Sequence, residues 1–191
     1  MPTLKTRPHD DCPNRCWLRG KWSALALALI ALGAFSAATS AAQLSIEGGR
    51  SYMDSHPATT AFVEGVFASH ALGASRYTWA PDVSLGWIDG RRLSRYDGAR
   101  YNPRDAVWLA AAGVRLQHAA TDAWYGHLFF SEQLAAQNRH SLALSSDYEF
   151  VSSVGWQGAH FSFQLRHISN AGLHGPNRGE TMALLGLGFA F

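Results

Sequence analysis

The sequence has few cysteines and few lysines, and all of them lie near its start. Cys12, Cys16, Lys5 and Lys21 all precede residue 43. From that point on the chain has no thiol, which excludes an internal disulfide and a cysteine-ligated metal site there. Every basic charge after residue 42, apart from protonated histidine, is therefore an arginine.

An excess of charge of one sign is also absent after residue 42. Five of the 16 Lys and Arg and two of the 14 Asp and Glu come before it, which leaves 11 basic against 12 acidic residues. The sequence pI of about 8.7 therefore reflects the first segment. A near-neutral chain gives no electrostatic reason to expect a nucleic-acid partner.

No apolar run reaches the roughly 20 residues that a membrane-spanning helix needs. The longest run covers residues 22–35, follows Arg15, Arg19 and Lys21, and precedes the small residues SAATSAA. That order is typical of a secretory signal peptide rather than of a retained anchor. We predict a signal peptide over 1–42, cleaved after Ala42, and a single domain over 43–191.

Short runs that alternate apolar and polar side chains fill the chain from residue 43 onward. This period of two predicts strands, because successive side chains of a strand point to opposite faces. Gly, Pro, Asp and Asn bound the runs. We predict eight strands, approximately over 43–53, 58–70, 76–90, 105–119, 122–137, 141–157, 159–171 and 180–191.

The length of these runs favours a membrane barrel. Many match the roughly 9 to 11 residues with which a tilted strand crosses a bilayer, and Trp and Tyr cluster near their ends. The last run ends on Phe191, as in strands recognised for outer-membrane insertion. We predict an all-β fold, an eight-stranded antiparallel transmembrane β-barrel. The alternative is a soluble barrel or sandwich whose apolar faces point inward.

One segment, RHISNAGLHGPNRGE at 166–180, carries groups that could do chemistry. His167 and Ser169 are two residues apart and share a strand face, where an imidazole can take the proton of an attacking hydroxyl. The same face holds Leu165, Phe163 and Phe161. In a soluble protein this face would be the core, whereas in a transmembrane barrel it would meet lipid.

The predicted signal peptide, the eight strands and the motif HISNAGLHGPN at 167–177 together resemble the PagL-type lipid A 3-O-deacylases. Those are bacterial outer-membrane barrels that hydrolyse an ester of lipid A. The resemblance implies a Ser/His/Glu triad of Ser169 as nucleophile, His167 as general base and Glu180 as orienting acid. The backbone N–H groups of Asn170, Ala171 and Gly172 are candidate oxyanion donors, and Asn177 would support their loop. Ordinary turn chemistry is the alternative role for Asn170, Gly172 and Asn177.

The implied function is removal of the ester-linked 3-position hydroxyacyl chain from lipid A of lipopolysaccharide. The implied location is the bacterial outer membrane, with lipid A and membrane lipid as partners, no cofactor, and a homodimer left open. His160, His167 and His174 do not form a metal-binding motif, so no metal is predicted. The alternative function is a small non-enzymatic outer-membrane barrel for adhesion or envelope integrity.

The acid departs from the family pattern. That pattern resembles P-N-x-G-x-E, whereas this chain reads PNRGE, one residue shorter before Glu180. A shift of one residue turns a strand side chain to the other face, so a bulge near Gly179 would have to restore its aim. If none does, Glu132 is the next candidate, or the enzyme uses only His167 and Ser169.

Arginines are concentrated in RRLSRYDGARYNPR, residues 91–104, between the third and fourth predicted strands. Alternate strands of an antiparallel barrel end at the same rim, so this loop should lie at the same rim as the loop after Ser169. Arginine binds phosphate with two parallel hydrogen bonds. Arg91, Arg92 and Arg95 are therefore candidate ligands of the lipid A headgroup, and a solvated polar loop is the alternative.

Overall fold

The fold is a closed antiparallel barrel of eight long strands. A computed structural model describes residues 43–94, 101, 103–120, 122–173 and 177–190, so the predicted signal peptide lies outside the described residues. The strands are β1 Gln43–Met53, β2 His56–Val66, β3 His70–Ala71, β4 Tyr77–Ile88, β5 Val107–His118, β6 Leu128–Gln137, β7 Tyr148–Gln157, β8 Phe161–Ser169 and β9 Glu180–Ala190.

Each long strand pairs with two neighbours. The order runs β2-β1-β9-β8-β7-β6-β5-β4, and β4 pairs with β2 to close the circle. The two-residue β3 only extends the edge of β4. Closure leaves no long strand with an unpaired edge, which lipid would not tolerate. The predicted eight-stranded antiparallel barrel is confirmed.

Two predicted strands begin more than two residues later than expected. The fifth starts at Leu128, because Trp124–His127 form one 3-10 turn whose Gly126 N–H donates to Ala123 O. The sixth starts at Tyr148, because Ser141 and Leu144 close a turn. Ser141 N–H donates to Leu144 O, and Leu144 N–H donates to Ser141 Oγ.

Among the described residues there is no helix with the length and apolar character needed to cross a membrane.

The barrel is apolar outside and polar inside, the reverse of a soluble protein. On β8, Phe161, Phe163 and Leu165 are 65%, 46% and 49% exposed, whereas the intervening Gln164 and Arg166 are each 1% exposed. The soluble alternative required the apolar face to point inward. The observed arrangement is instead that of a barrel whose wall faces lipid.

Buried ion pairs fill the middle of the barrel. Glu64 accepts hydrogen bonds from Arg115 at 2.6 Å and from Arg166 at 2.5 Å, and Arg115 also reaches Asp82 at 3.2 Å. The Arg166 guanidinium lies 4.4 Å from the centre of the Phe62 ring. Each of these charges thus meets an opposite one, which is the condition under which a charge can be buried.

We define the site rim as the end of the barrel where β1, β4, β6 and β8 finish. An apolar layer that includes Met53, Ile88 and Ile168 separates the ion pairs from this rim. The loops of the rim contact one another, since Gly179 N–H donates to Ala143 O at 3.0 Å. Residues 91–94, the start of the arginine-rich loop, follow β4 and therefore lie at the same rim as the turn after β8.

Replacing Glu64 by glutamine removes the carboxylate that Arg115 and Arg166 share. Because two buried cations then lose a charged partner, the free energy of unfolding should fall by about 3–5 kcal/mol. Urea unfolding in lipid vesicles, followed by tryptophan fluorescence, measures it. The control is Asp105→Asn, whose ion pair with Arg139 is exposed and should contribute less than about 1 kcal/mol. Equal losses in the two variants would contradict the importance of the interior network.

Candidate active site

His167 and Ser169 lie on the outer wall where β8 reaches the site rim. His167 is exposed, and Ser169 is the last residue of the strand. The imidazole Nδ1 lies 2.9 Å from the Thr181 hydroxyl of β9. A Cβ at Gly179 would come within 2.9 Å of the ring Cε1 and 3.2 Å of Nε2. The ring is therefore held at Nδ1 by Thr181, and its opposite edge lies against a glycine.

Glu180 does not reach His167. Its side chain is 2% exposed and points into the barrel. Its Oε1 and Oε2 accept hydrogen bonds from Arg91 at 2.6 and 2.8 Å, and Oε2 also accepts one from the Ser51 hydroxyl. The expectation that Glu180 orients the imidazole is thus not met by this placement.

The register between β8 and β9 explains why. Glu180 pairs with Ile168 and Thr181 pairs with His167, with no bulge between them. Side chains of paired residues point to the same face, so Glu180 follows Ile168 inward and Thr181 follows His167 outward. Thr181 is also the residue at which the pattern P-N-x-G-x-E would place its acid. This chain therefore presents a hydroxyl to His167 where the family pattern has a carboxylate.

The turn after Ser169 is built around Asn170, whose side chain is fully buried. Asn170 Nδ2 donates to Ser146 Oγ at 2.6 Å, and its Oδ1 accepts the Gly172 N–H at 2.8 Å. Ala171 and Gly172 adopt φ of +52° and +75°. The Gly172 N–H is therefore engaged within the turn. Ala171 N–H, in contrast, has no hydrogen-bond partner among the described residues.

Asn177 anchors the other end of the same loop. Its Nδ2 donates to Glu149 Oε2 at 2.8 Å, and Glu149 Oε1 accepts the Ser146 N–H at 3.1 Å. Asn170 and Asn177 thus bind the same short segment around Ser146, one through its hydroxyl and one through Glu149. Their geometry serves the positioning of the loop and keeps both side chains away from the lipid-facing wall.

The three arginines expected to bind a headgroup have different positions. Arg91 is buried, and besides Glu180 its guanidinium donates to the main-chain oxygens of His56 at 2.8 Å and Ser51 at 3.1 Å. This corrects its expected role, because a guanidinium with all these partners is not available to a substrate. Arg92 is exposed at the site rim, and Arg95 lies outside the described residues.

Sequence reasoning named Glu132 as an alternative acid but missed Ser152 and Thr181, the nearer polar neighbours of His167 on the outer wall. The register places Glu132 of β6, Ser152 of β7, His167 and Thr181 in one row across four strands. Ser152 Oγ donates to Glu132 Oε2 at 2.7 Å. The shortened PNRGE segment was the available signal for Thr181, since one fewer residue exchanges the faces of Glu180 and Thr181.

These features define a class of protein: an eight-stranded barrel with an apolar wall that carries a histidine and serine pair at one rim. Among solved structures, the crystal structure of the outer-membrane enzyme PagL has the same fold. The two share a TM-score of 0.54 and 14% sequence identity over 77% of this chain and 98% of that one. At this identity the similarity concerns the fold alone. No protein-family model and no curated protein sequence matches the chain.

Thr181→Val removes the oxygen that His167 Nδ1 contacts, so the ¹⁵N resonance of this ring nitrogen should shift. Glu180→Gln should leave it unchanged, because that side chain lies on the other face of β9. Protein labelled with ¹⁵N-histidine in detergent micelles gives the measurement, and His167→Asn assigns the signal among the nine histidines. A shift caused by Glu180→Gln and not by Thr181→Val would show that the register is wrong.

Proposed function

We propose that the chain is an outer-membrane serine esterase that removes the ester-linked 3-position hydroxyacyl chain from lipid A. The observation that carries the proposal is the placement of His167 and Ser169 on the lipid-facing wall. A hydroxyl and an imidazole there can meet an ester that never leaves the membrane. The likeness of the fold to that of an outer-membrane enzyme supports the same conclusion.

The proposed reaction is acyl transfer through Ser169. The serine hydroxyl attacks the acyl carbonyl of the lipid, His167 takes its proton, and the sugar hydroxyl leaves with that proton. Water then attacks the acyl-enzyme, with His167 as base again, and releases the hydroxy fatty acid. A proton on Nδ1, donated to Thr181, leaves Nε2 as the acceptor that this step requires.

The charge that develops on the carbonyl oxygen needs a hydrogen-bond donor. Ala171 N–H is the first candidate, because the Gly172 N–H already donates to Asn170 within the turn. The hydrogen bonds of Asn170 to Ser146 and of Asn177 to Glu149 hold the ends of this loop against the barrel. A donor fixed before the reaction stabilises the oxyanion without reorganisation at the moment of attack.

The wall below the site is suited to acyl chains. Leu165 and Phe163 continue down β8 from His167 on the same exposed face, so the chains of a bound lipid can lie along them. The site itself lies at the rim, where headgroups of an outer leaflet would be. Arg92 is exposed at this rim and remains a candidate ligand for a headgroup phosphate.

One observation favours the alternative of a non-enzymatic barrel. His167 contacts a threonine, and no carboxylate among the described residues contacts its Nδ1 to stabilise the imidazolium by charge. The nearest carboxylate in the same row is Glu132, and Ser152 stands between it and His167. We therefore propose an esterase that uses Ser169 and His167 with Thr181 as positioning residue. It should turn over more slowly than an esterase with a carboxylate beside the histidine.

Ser169→Ala should reduce release of hydroxy fatty acid from lipid A by at least about a thousandfold, because the nucleophile is lost. His167→Asn should have nearly the same effect. The measurement uses purified full-length protein in detergent and quantifies free fatty acid by mass spectrometry. Ser75→Ala, which alters a hydroxyl at the opposite rim, is the control. Wild-type activity in folded Ser169→Ala would rule out this nucleophile.

Thr181→Glu would place a carboxylate directly beside His167. Since a carboxylate stabilises the imidazolium formed during attack, we expect kcat to rise by roughly tenfold with KM nearly unchanged. Thr181→Val should lower kcat, and Glu180→Gln should change kcat little if the barrel stays folded. If instead Glu180→Gln lost as much kcat as His167→Asn while folded, the assignment of Thr181 as positioning residue would fail.

A further inference from the structure

An arginine stands on the lipid-facing wall near the candidate active site. Arg50 is exposed on β1, whereas its neighbour Ser51 is fully buried in the interior. Its Nη1 lies 3.2 Å from the Thr59 hydroxyl on β2. The guanidinium therefore projects outward, away from the ion pairs inside the barrel.

Arg50 has no anionic partner in the part of the chain that the structure describes, and unlike the exposed Arg76 and Arg92, which lie in loops, it stands within a strand of the wall. Among the described residues no carboxylate lies within ion-pair distance of it, and its single side-chain partner is the Thr59 hydroxyl. Five other arginines each bind at least one carboxylate, and two of them share Glu64: Arg91, Arg115, Arg139, Arg166 and Arg178. An arginine without a counter-charge is unfavourable on a barrel wall in lipid. A resident anion from outside the protein would remove that penalty.

The strand register places Arg50 close to the histidine and serine pair. Tyr52, Thr181 and His167 form one row across β1, β9 and β8. Arg50 lies two residues before Tyr52 on β1, further from the site rim, in a row with Ala183 and Leu165. Strand spacing puts the backbones of Arg50 and His167 roughly 10 Å apart across the sheet and roughly 7 Å apart along it.

A small residue, Ala183, lies between Arg50 and Leu165 in their row across the sheet. A long arginine side chain can also extend along the wall towards the rim, with its charged end at headgroup depth. A single lipid could thus place an ester at Ser169 and an anionic group at Arg50.

We propose that Arg50, assisted by Thr59, binds a phosphate group of the lipid whose ester reaches Ser169. This inference rests on the proposed esterase function and adds the side chains that hold a phosphate of the substrate. A guanidinium can donate two parallel hydrogen bonds to phosphate, and the threonine hydroxyl can donate a third. Arg50 would then take the role that the sequence had suggested for Arg91.

The test compares bisphosphorylated lipid A with the same lipid after enzymatic removal of both phosphates. Arg50→Gln should lower kcat/KM on phosphorylated lipid A by about tenfold, mainly through KM, and leave the phosphate-free lipid unaffected. Arg50→Lys should give a kcat/KM between those of the wild type and Arg50→Gln, since lysine keeps the charge but cannot donate two parallel hydrogen bonds. Arg76→Gln is the matched control, because it removes an exposed arginine at the opposite rim.

A binding measurement separates this inference from the esterase function. In the Ser169→Ala background, Arg50→Gln should weaken retention of radiolabelled phosphorylated lipid A by about tenfold, whether or not the wild type hydrolyses it. Equal retention with and without Arg50→Gln would overturn the phosphate site. So would an equal loss on phosphate-free lipid A. An equal loss of retention on phosphatidate vesicles would also overturn it, because Arg50 would then bind any lipid phosphate and not the substrate.

Discussion

Each strand of this barrel divides its residues between two environments, and a single residue of register decides which environment a side chain meets. On β9 the division separates Glu180, buried with Arg91, from Thr181, which faces the outer wall beside His167. On β1 it separates the buried Ser51 from the exposed Arg50. The candidate site depends on this constraint, because the chemistry available outside is limited to the residues that the register turns outward.

The interior and the wall satisfy their polar groups in different ways. Inside, Glu64 joins Arg115 and Arg166, so each charge meets its opposite within the protein. Outside, lipid provides no partner, and polar side chains on the wall must bind one another or a ligand. Near the site rim His167 and Thr181 bind one another, whereas Arg50 is in contact, among the described residues, only with the Thr59 hydroxyl. The polar positions on the wall are therefore the ones from which a function can be inferred.

The sequence predicted the fold well and the site in part. Period-two alternation over runs of bilayer length was sufficient for the eight strands, and it correctly put His167 on the apolar face. It could not show that Arg91 turns inward, because a loop has no periodicity from which to read a direction. It also could not decide which face of β9 Glu180 points to. A bulge near Gly179 would have turned the side chain outward, and only the unbroken register shows that there is no bulge.

The exchange of Glu180 and Thr181 has a physical rationale that bears on mechanism. A carboxylate on a lipid-facing wall is costly unless it is paired, whereas inside the barrel Glu180 receives two hydrogen bonds from Arg91 and one from Ser51. A threonine hydroxyl loses less on transfer to lipid and still fixes the imidazole through Nδ1. The arrangement therefore keeps the orientation of the base and gives up the charge that would stabilise its protonated form. Because that charge stabilises the imidazolium only once the proton has moved, its absence should slow the chemical step more than it weakens the binding of the lipid.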